Sequence, residues 1–113
     1  MARSNPDFQN GVPEMLILKL LDRREMYGYE LVREIQTTSG ESLRYGEGSV
    51  YPVLHALEAR KLVKTRHDQV SGRVRTYYKP TAAGRKRLAE LVAEFERTVG
   101  AVRLVLGGAG AGG

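Results

Sequence analysis

Residues 46–62 read Gly-Glu-Gly-Ser-Val-Tyr-Pro-Val-Leu-His-Ala-Leu-Glu-Ala-Arg-Lys-Leu. The stretch predicts a short helix with its start written in. Ser49 is the expected N-cap, its hydroxyl accepting from a free backbone N–H of the first turn. Pro52 fits that first turn, where a missing N–H costs nothing. Val50, Val53, Leu54 and Leu57 recur at helical spacing and form one apolar face. The opposite face carries Tyr51, Pro52, His55 and Ala59. That face is small, polar and aromatic rather than charged, which suits insertion into a groove. Taken alone, the stretch reads more readily as an ordinary surface helix.

Its neighbours change that balance. Residues 28–39 predict a helix with Leu31, Val32 and Ile35 inside and Glu30, Arg33, Glu34 and Gln36 outside. Gly40 follows as the expected left-handed cap. A turn over 40–48, carrying Gly40, Gly46 and Gly48, then leads into the quoted helix. Two short helices joined this way fit a helix-turn-helix, with a turn longer than the minimal one. Downstream the period changes from helical to alternating. Residues 63–68 and 73–79 read as two strands around the turn Gln69-Val-Ser-Gly72, a hairpin wing directly after the quoted helix. In the second strand Arg73, Arg75, Tyr77 and Lys79 share one face, a row of cations suited to phosphates or, more simply, a solvated sheet face.

On the N-terminal side, residues 1–11 predict a flexible arm and residues 12–24 a helix, with Pro13 in its first turn and Glu14 at its positive end. This helix is apolar on most sides, so it is expected to be buried on most sides, with Met15 available to a second subunit. On the C-terminal side, Thr81 can cap a helix over 81–106. Leu88, Val92, Phe95, Val99, Val102 and Leu106 are spaced 4, 3, 4, 3, 4 along it, a heptad seam that calls for a partner helix. The cluster Arg85-Lys86-Arg87 sits at the positive end of that helix, explained either by a nearby anion or by simple solvation. Residues 107–113 are a Gly/Ala tail expected to be disordered.

The expected organisation is an arm over 1–11, a DNA-binding domain over 12–80, a dimerisation helix over 81–106 and the tail. The fold class is α+β, mainly α: a winged helix-turn-helix with a long C-terminal dimerisation helix. Charge supports an anionic partner. The chain of 113 residues has net charge +5, yet residues 1–62 carry 8 basic and 9 acidic side chains and residues 63–113 carry 10 and 4. Nucleic acid is the first candidate for such asymmetry and a membrane surface the second. With no cysteine there is neither a disulfide framework nor a thiolate metal site. No apolar run is long enough to span a bilayer, and the cytoplasm is the expected compartment. No nucleophile elbow, phosphate-binding loop or zinc-protease motif is present, and His55 with Glu58 one turn away reads as a weak surface pair. An enzyme is not expected, nor a cofactor.

The motifs together resemble the PadR family of bacterial transcriptional regulators, in its compact form with one C-terminal helix. The resemblance rests on Gly28-Tyr29-Glu30-Leu31, Gly48-Ser49-Val50-Tyr51-Pro52-Val53-Leu54, Leu57-Glu58, Leu62-Val63, Arg75-Thr76-Tyr77-Tyr78 and Thr81-Ala82-Ala83-Gly84, over about residues 12–100. It implies a homodimeric repressor on a pseudo-palindromic operator, the final helix of each subunit packing on the first and final helices of the other. It also implies, for some members, release by a planar aromatic effector held between tryptophans at the dimer interface. This sequence has no tryptophan. Phe95 takes that position, either stacking on a ligand or filling a closed seam with Met15, Leu88, Val92, Val99 and Val102.

The resulting expectation is specific. Ser49, Tyr51, Pro52 and His55 face double-stranded DNA, with Tyr51 and His55 nearest the bases. Tyr51 has two further readings, a phosphate contact and packing on the wing. Lys64, Arg66, Arg73 and Arg75 hold the flanking backbone. The alternative from another class is a dimeric protein-interaction module that keeps the winged-helix shape without reading DNA.

Overall fold

The computed structural model describes residues 7–107; the first six residues of the expected arm and the tail beyond Gly107 lie outside that range. The elements are α1 (Asp7–Arg23), β1 (Met26–Tyr27), α2 (Gly28–Thr38), α3 (Glu47–Ala59), β2 (Val63–Val70), β3 (Arg73–Pro80) and α4 (Ala82–Leu106). The three strands form one antiparallel sheet in the order β1-β3-β2. This is a winged helix-turn-helix, mainly helical, with a long last helix.

The core gathers under the sheet's inner face. Ile17, Leu18 and Leu21 of α1, Leu31 of α2, and Val50, Leu54 and Leu57 of α3 are almost fully enclosed. Met26 and Tyr78 close the core from the sheet. The expectation for α1 holds, since Met15, Ile17, Leu18, Leu20 and Leu21 are all buried. Met15 is buried within the chain itself. The helix begins earlier than expected, at Asp7, so Pro13 lies inside it rather than in its first turn.

The connection between α2 and α3 is longer than a minimal turn, and it is pinned. Gly40 and Glu41 both take positive φ, 65° and 70°. The Leu43 N–H donates to Ser39 Oγ at 2.9 Å, and the Glu41 N–H donates to the Gln36 carbonyl at 2.8 Å. Leu43 and Tyr45 lean on the core. The helix start is corrected: Gly46, not Ser49, is the N-cap of α3. Gly46 is extended and its carbonyl accepts from both the Ser49 and Val50 N–H groups. Glycine is a competent cap, although it carries no side chain to mark the position in the sequence. Pro52 therefore lies inside the helix. The carbonyl that would have received its missing N–H belongs to Gly48, an exposed residue that water can serve.

The wing is longer than expected. Strands β2 and β3 pair from Val63↔Pro80 to Val70↔Arg73, leaving only Ser71 and Gly72 between them. Both take positive φ, 53° and 78°. This is the type I′ geometry whose twist matches that of the strands. One face of the hairpin carries Lys64, Arg66, Asp68, Arg73, Arg75, Tyr77 and Lys79, and the other carries Val63, Thr65, His67, Val74, Thr76 and Tyr78.

The root of the wing is tied to α4. Thr81 caps α4 as expected, accepting from the Gly84 N–H at 3.0 Å. Its hydroxyl donates to the Lys61 carbonyl at 2.8 Å, and its N–H donates to the Leu62 carbonyl at 3.0 Å. Gly84 presses on the same carbonyl: a Cβ there would stand 2.0 Å from Leu62 O. The connection from α3 to β2 (Lys61 and Leu62) and the start of α4 thus meet at one joint.

Helix α4 runs beyond the body of the molecule, and the longest extent is 56 Å. The seam divides along its length. Leu88 is buried and Val92 and Phe95 pack against the core, joined by Leu91, which lies off the seam. The distal end is bare: Val102, Leu104, Val105 and Leu106 are exposed. Gly107 closes the helix in the left-handed conformation.

Candidate nucleic-acid interface

On a helical wheel of about 100° per residue, the outermost strip of α3 is His55, Gly48, Ala59, Pro52, Ala56 and Ser49, all exposed. None bears a formal charge. Glu47 and Glu58 run along one border of the strip. Of the four residues expected here, Ser49, Pro52 and His55 are open to solvent.

Tyr51 differs. It lies at the edge of the strip and is half-buried, packed against the core. Its ring covers Gly28 so closely that a Cβ on that glycine would fall 2.4 Å from Tyr51 Cζ. Burial pushes its phenol pKa up, with help from the charges of Glu47 and Tyr27. Its ring centroid is 6.2 Å from that of His55. Tyr51 therefore braces α3 against the start of α2 and supports His55 from the side.

The four expected cations of the wing fall into two groups. Lys64 and Arg73 are exposed and make no ion pair among the described residues. Arg75 lies over the Tyr27 ring, 4.5 Å from its centroid, and that ring meets Tyr77 edge-on at 5.5 Å. The stack holds the Arg75 guanidinium, whose N–H edges meet no carboxylate among the described residues. Arg66 is held on several sides. Its Nε donates to Glu25 Oε1 at 3.3 Å and Oε2 at 3.1 Å, and its Nη2 donates to Glu25 Oε2. Asp68 lies 3.3 Å from Nη1. The Tyr77 ring centroid is 4.6 Å below the guanidinium carbon. The hydrogen bond from Arg66 draws the Glu25 carboxyl pKa down, and Glu25 in turn raises that of Arg66.

The two arginines of the Arg85-Lys86-Arg87 cluster are paired within the chain, while Lys86 is exposed. Arg85 pairs with Asp22 at 3.1 Å and Arg87 with Glu14 at 3.1 Å, both on α1. Glu14 also pairs with Arg60 at the end of α3, at 3.2 Å. These acids lie 46 to 73 residues from their partners, so sequence spacing carried no sign of them. The same is true of Glu25. An open groove of about 190 Å³ between α1 and α2, lined by Leu16, Leu20, Ile35 and Leu43 among others, is mostly apolar. No described helix is long and apolar enough to cross a membrane.

The arrangement offers an uncharged helix face beside a cationic hairpin, which can enter a groove and grip its phosphate margins. The chain is similar to known transcriptional regulators. A family model described as "Transcriptional regulator PadR-like family" matches residues 17–90. The transcriptional regulator Rv3488 of Mycobacterium tuberculosis is 35% identical over 102 residues, covering 90% of each chain. A transcriptional regulator structure from Clostridium thermocellum superposes with a TM-score of 0.79 at 27% identity, covering 90% of this chain and 96% of that one. A PadR family regulator structure from Eggerthella lenta gives 0.75 at 26% identity, covering 89% and 87%.

Proposed function

The chain belongs to the PadR-like family of transcriptional regulators, and from that premise we propose that it is a repressor that binds DNA as a homodimer in the cytoplasm. The observation that carries the reading is the juxtaposition of the uncharged strip of α3 with the unpaired cations of the adjoining hairpin. His55, Pro52 and Ser49 enter the major groove, with Tyr51 setting the ring of His55. Lys64, Arg73 and Arg75 take the flanking phosphates. The bare end of α4, with Val102, Val105 and Leu106, is covered by the second subunit, since exposed apolar residues clustered at a helix end mark a contact surface. Dimerisation then sets the spacing of two reading helices and hence of two half-sites. Phe95 is partly buried against the chain's own core, which favours its reading as packing over its reading as a ligand contact.

The test is a gel shift with duplex from upstream of the chain's own gene, at two salt concentrations, beside an unrelated duplex. Sequence-selective, salt-dependent retardation supports the reading. Equal binding to both duplexes, or none, sinks it in favour of a protein-interaction module. Sedimentation of the free protein decides the dimer.

A further inference from the structure

Arg66 looks like one more cation on the wing, but its surroundings set it apart from Lys64, Arg73 and Arg75. It belongs to β2, at one edge of the sheet, while Glu25 immediately precedes β1, at the other. The side chain crosses the central strand over Tyr77 and reaches the far edge, where it grips both oxygens of Glu25. A planar guanidinium suits this task, since it can stack on an aromatic ring and donate in parallel to a carboxylate at once. Strand β1 contributes only two residues, and α2 starts directly after it. Glu25 is therefore anchored to the helical body, and whatever holds Glu25 holds the hairpin to that body.

We propose that Arg66 is a positioning residue rather than a phosphate contact: strapped across Tyr77 to Glu25, it fixes the angle at which the wing leaves the body, so that Arg73 and Arg75 reach the DNA backbone. The inference rests on the DNA-binding reading above. Two carboxylates, Glu25 and Asp68, already sit against Nε, Nη1 and Nη2 of Arg66 and neutralise its charge. That weakens its pull on a phosphate relative to an unpaired cation. Arg75, stacked on Tyr27 with no carboxylate, has no such competitor.

The two roles give opposite signs for one variant. Glu25→Gln weakens the strap, so a positioning role lowers DNA affinity. If Arg66 contacts phosphate, removing its competing carboxylate raises affinity instead. Affinities are measured by anisotropy on the full-length chain, with a labelled duplex from upstream of its own gene. Glu25→Gln, Arg66→Ala and Arg66→Lys are each expected to weaken binding by about two- to five-fold, with the slope of log affinity against log salt unchanged. A gain in affinity for Glu25→Gln overturns the proposal. So does a slope shallower by about 0.9 in Arg66→Ala, the signature of one lost phosphate contact. Amide exchange without DNA judges the strap separately. Residues 69–74 are expected to exchange about two- to five-fold faster in Glu25→Gln and Arg66→Ala, and at the wild-type rate in Lys64→Ala. Unchanged exchange in the first two overturns the strap. If the wild type binds no DNA, the DNA-binding reading and the positioning role fall together, while the exchange measurement still decides whether Arg66 fastens the hairpin.

Discussion

The ring of Tyr51 lies against Gly28, leaving no room for a single methyl group between α3 and the start of α2. Gly28→Ala is expected to push Tyr51 outward and cost about 1–3 kcal/mol, the usual penalty of overpacking, read as a lower urea midpoint. Adding Tyr51→Ala to Gly28→Ala should cost less than the two single changes summed, because the clash vanishes with the ring. Strict additivity would mean that the two residues are not in contact. The position of His55 depends on this contact, so DNA affinity should fall in Gly28→Ala even where the fold survives.

Gly84 is the more demanding of the two close approaches. Its neighbour is a backbone carbonyl, Leu62 O, which also accepts from the Thr81 N–H. A side chain there must part α4 from the root of the wing. Gly84→Ala should lower stability by about 3 kcal/mol, more than Gly28→Ala, where a side chain can yield. Thr81→Ala, which removes the cap and the bond to Lys61, should cost about 1 kcal/mol, and Thr81→Ser should recover most of it. Thermal unfolding monitored by circular dichroism ranks the three.

The wing cations should be visible in salt dependence. Arg73→Ala combined with Arg75→Ala is expected to shallow the slope of log affinity against log salt by about 1.8, or 0.9 for each lost phosphate contact. An unchanged slope removes these residues from the phosphate backbone.

Alkaline pH should loosen the fold through two phenols. Burial raises the pKa of both Tyr51 and Tyr78 above the ordinary 10.0. Near pH 10 the unfolded chain releases these protons while the folded chain retains them. Stability is therefore full below about pH 10 and falls as pH rises through the folded values. Tyr51→Phe and Tyr78→Phe should each flatten the decline in urea midpoint between about pH 9 and pH 11. An unaltered decline would show that other groups carry it.

Much of this could be read from sequence wherever a signal is local. The alternation through Arg73–Lys79 gave the wing, and Thr81 with Gly84 marked the start of α4 with its cap intact. Local signals also misled. Ser49 and Pro52 suggest a helix starting at Ser49, while Gly46 lacks any side chain to advertise its capping role and nonetheless starts it. What remained hidden depends on approach in space. Glu25, Asp22 and Glu14, which pair with Arg66, Arg85 and Arg87, are 41 to 73 residues away from them. Charge counting treated all these arginines as surplus, although Glu25, Asp22 and Glu14 neutralise them. The two-residue strand β1 carries too short a pattern to register at all. The half-burial of Tyr51 follows from Gly28 on another helix.

The Ser71-Gly72 turn has a consequence for how this architecture can vary. A two-residue hairpin closes only on a pair that exchanges both backbone hydrogen bonds, here Val70 and Arg73. Such pairs recur at every second rung of the ladder. The base of the hairpin is anchored in the core by Val63 and Tyr78, so lengthening must occur at the tip. With this turn preserved, the hairpin can grow only by two residues per strand, or about 7 Å of reach. Any other insertion demands a bulge or a different turn. Among chains sharing this turn, wing length should therefore be quantised, and so should the width of the backbone segment each one can span.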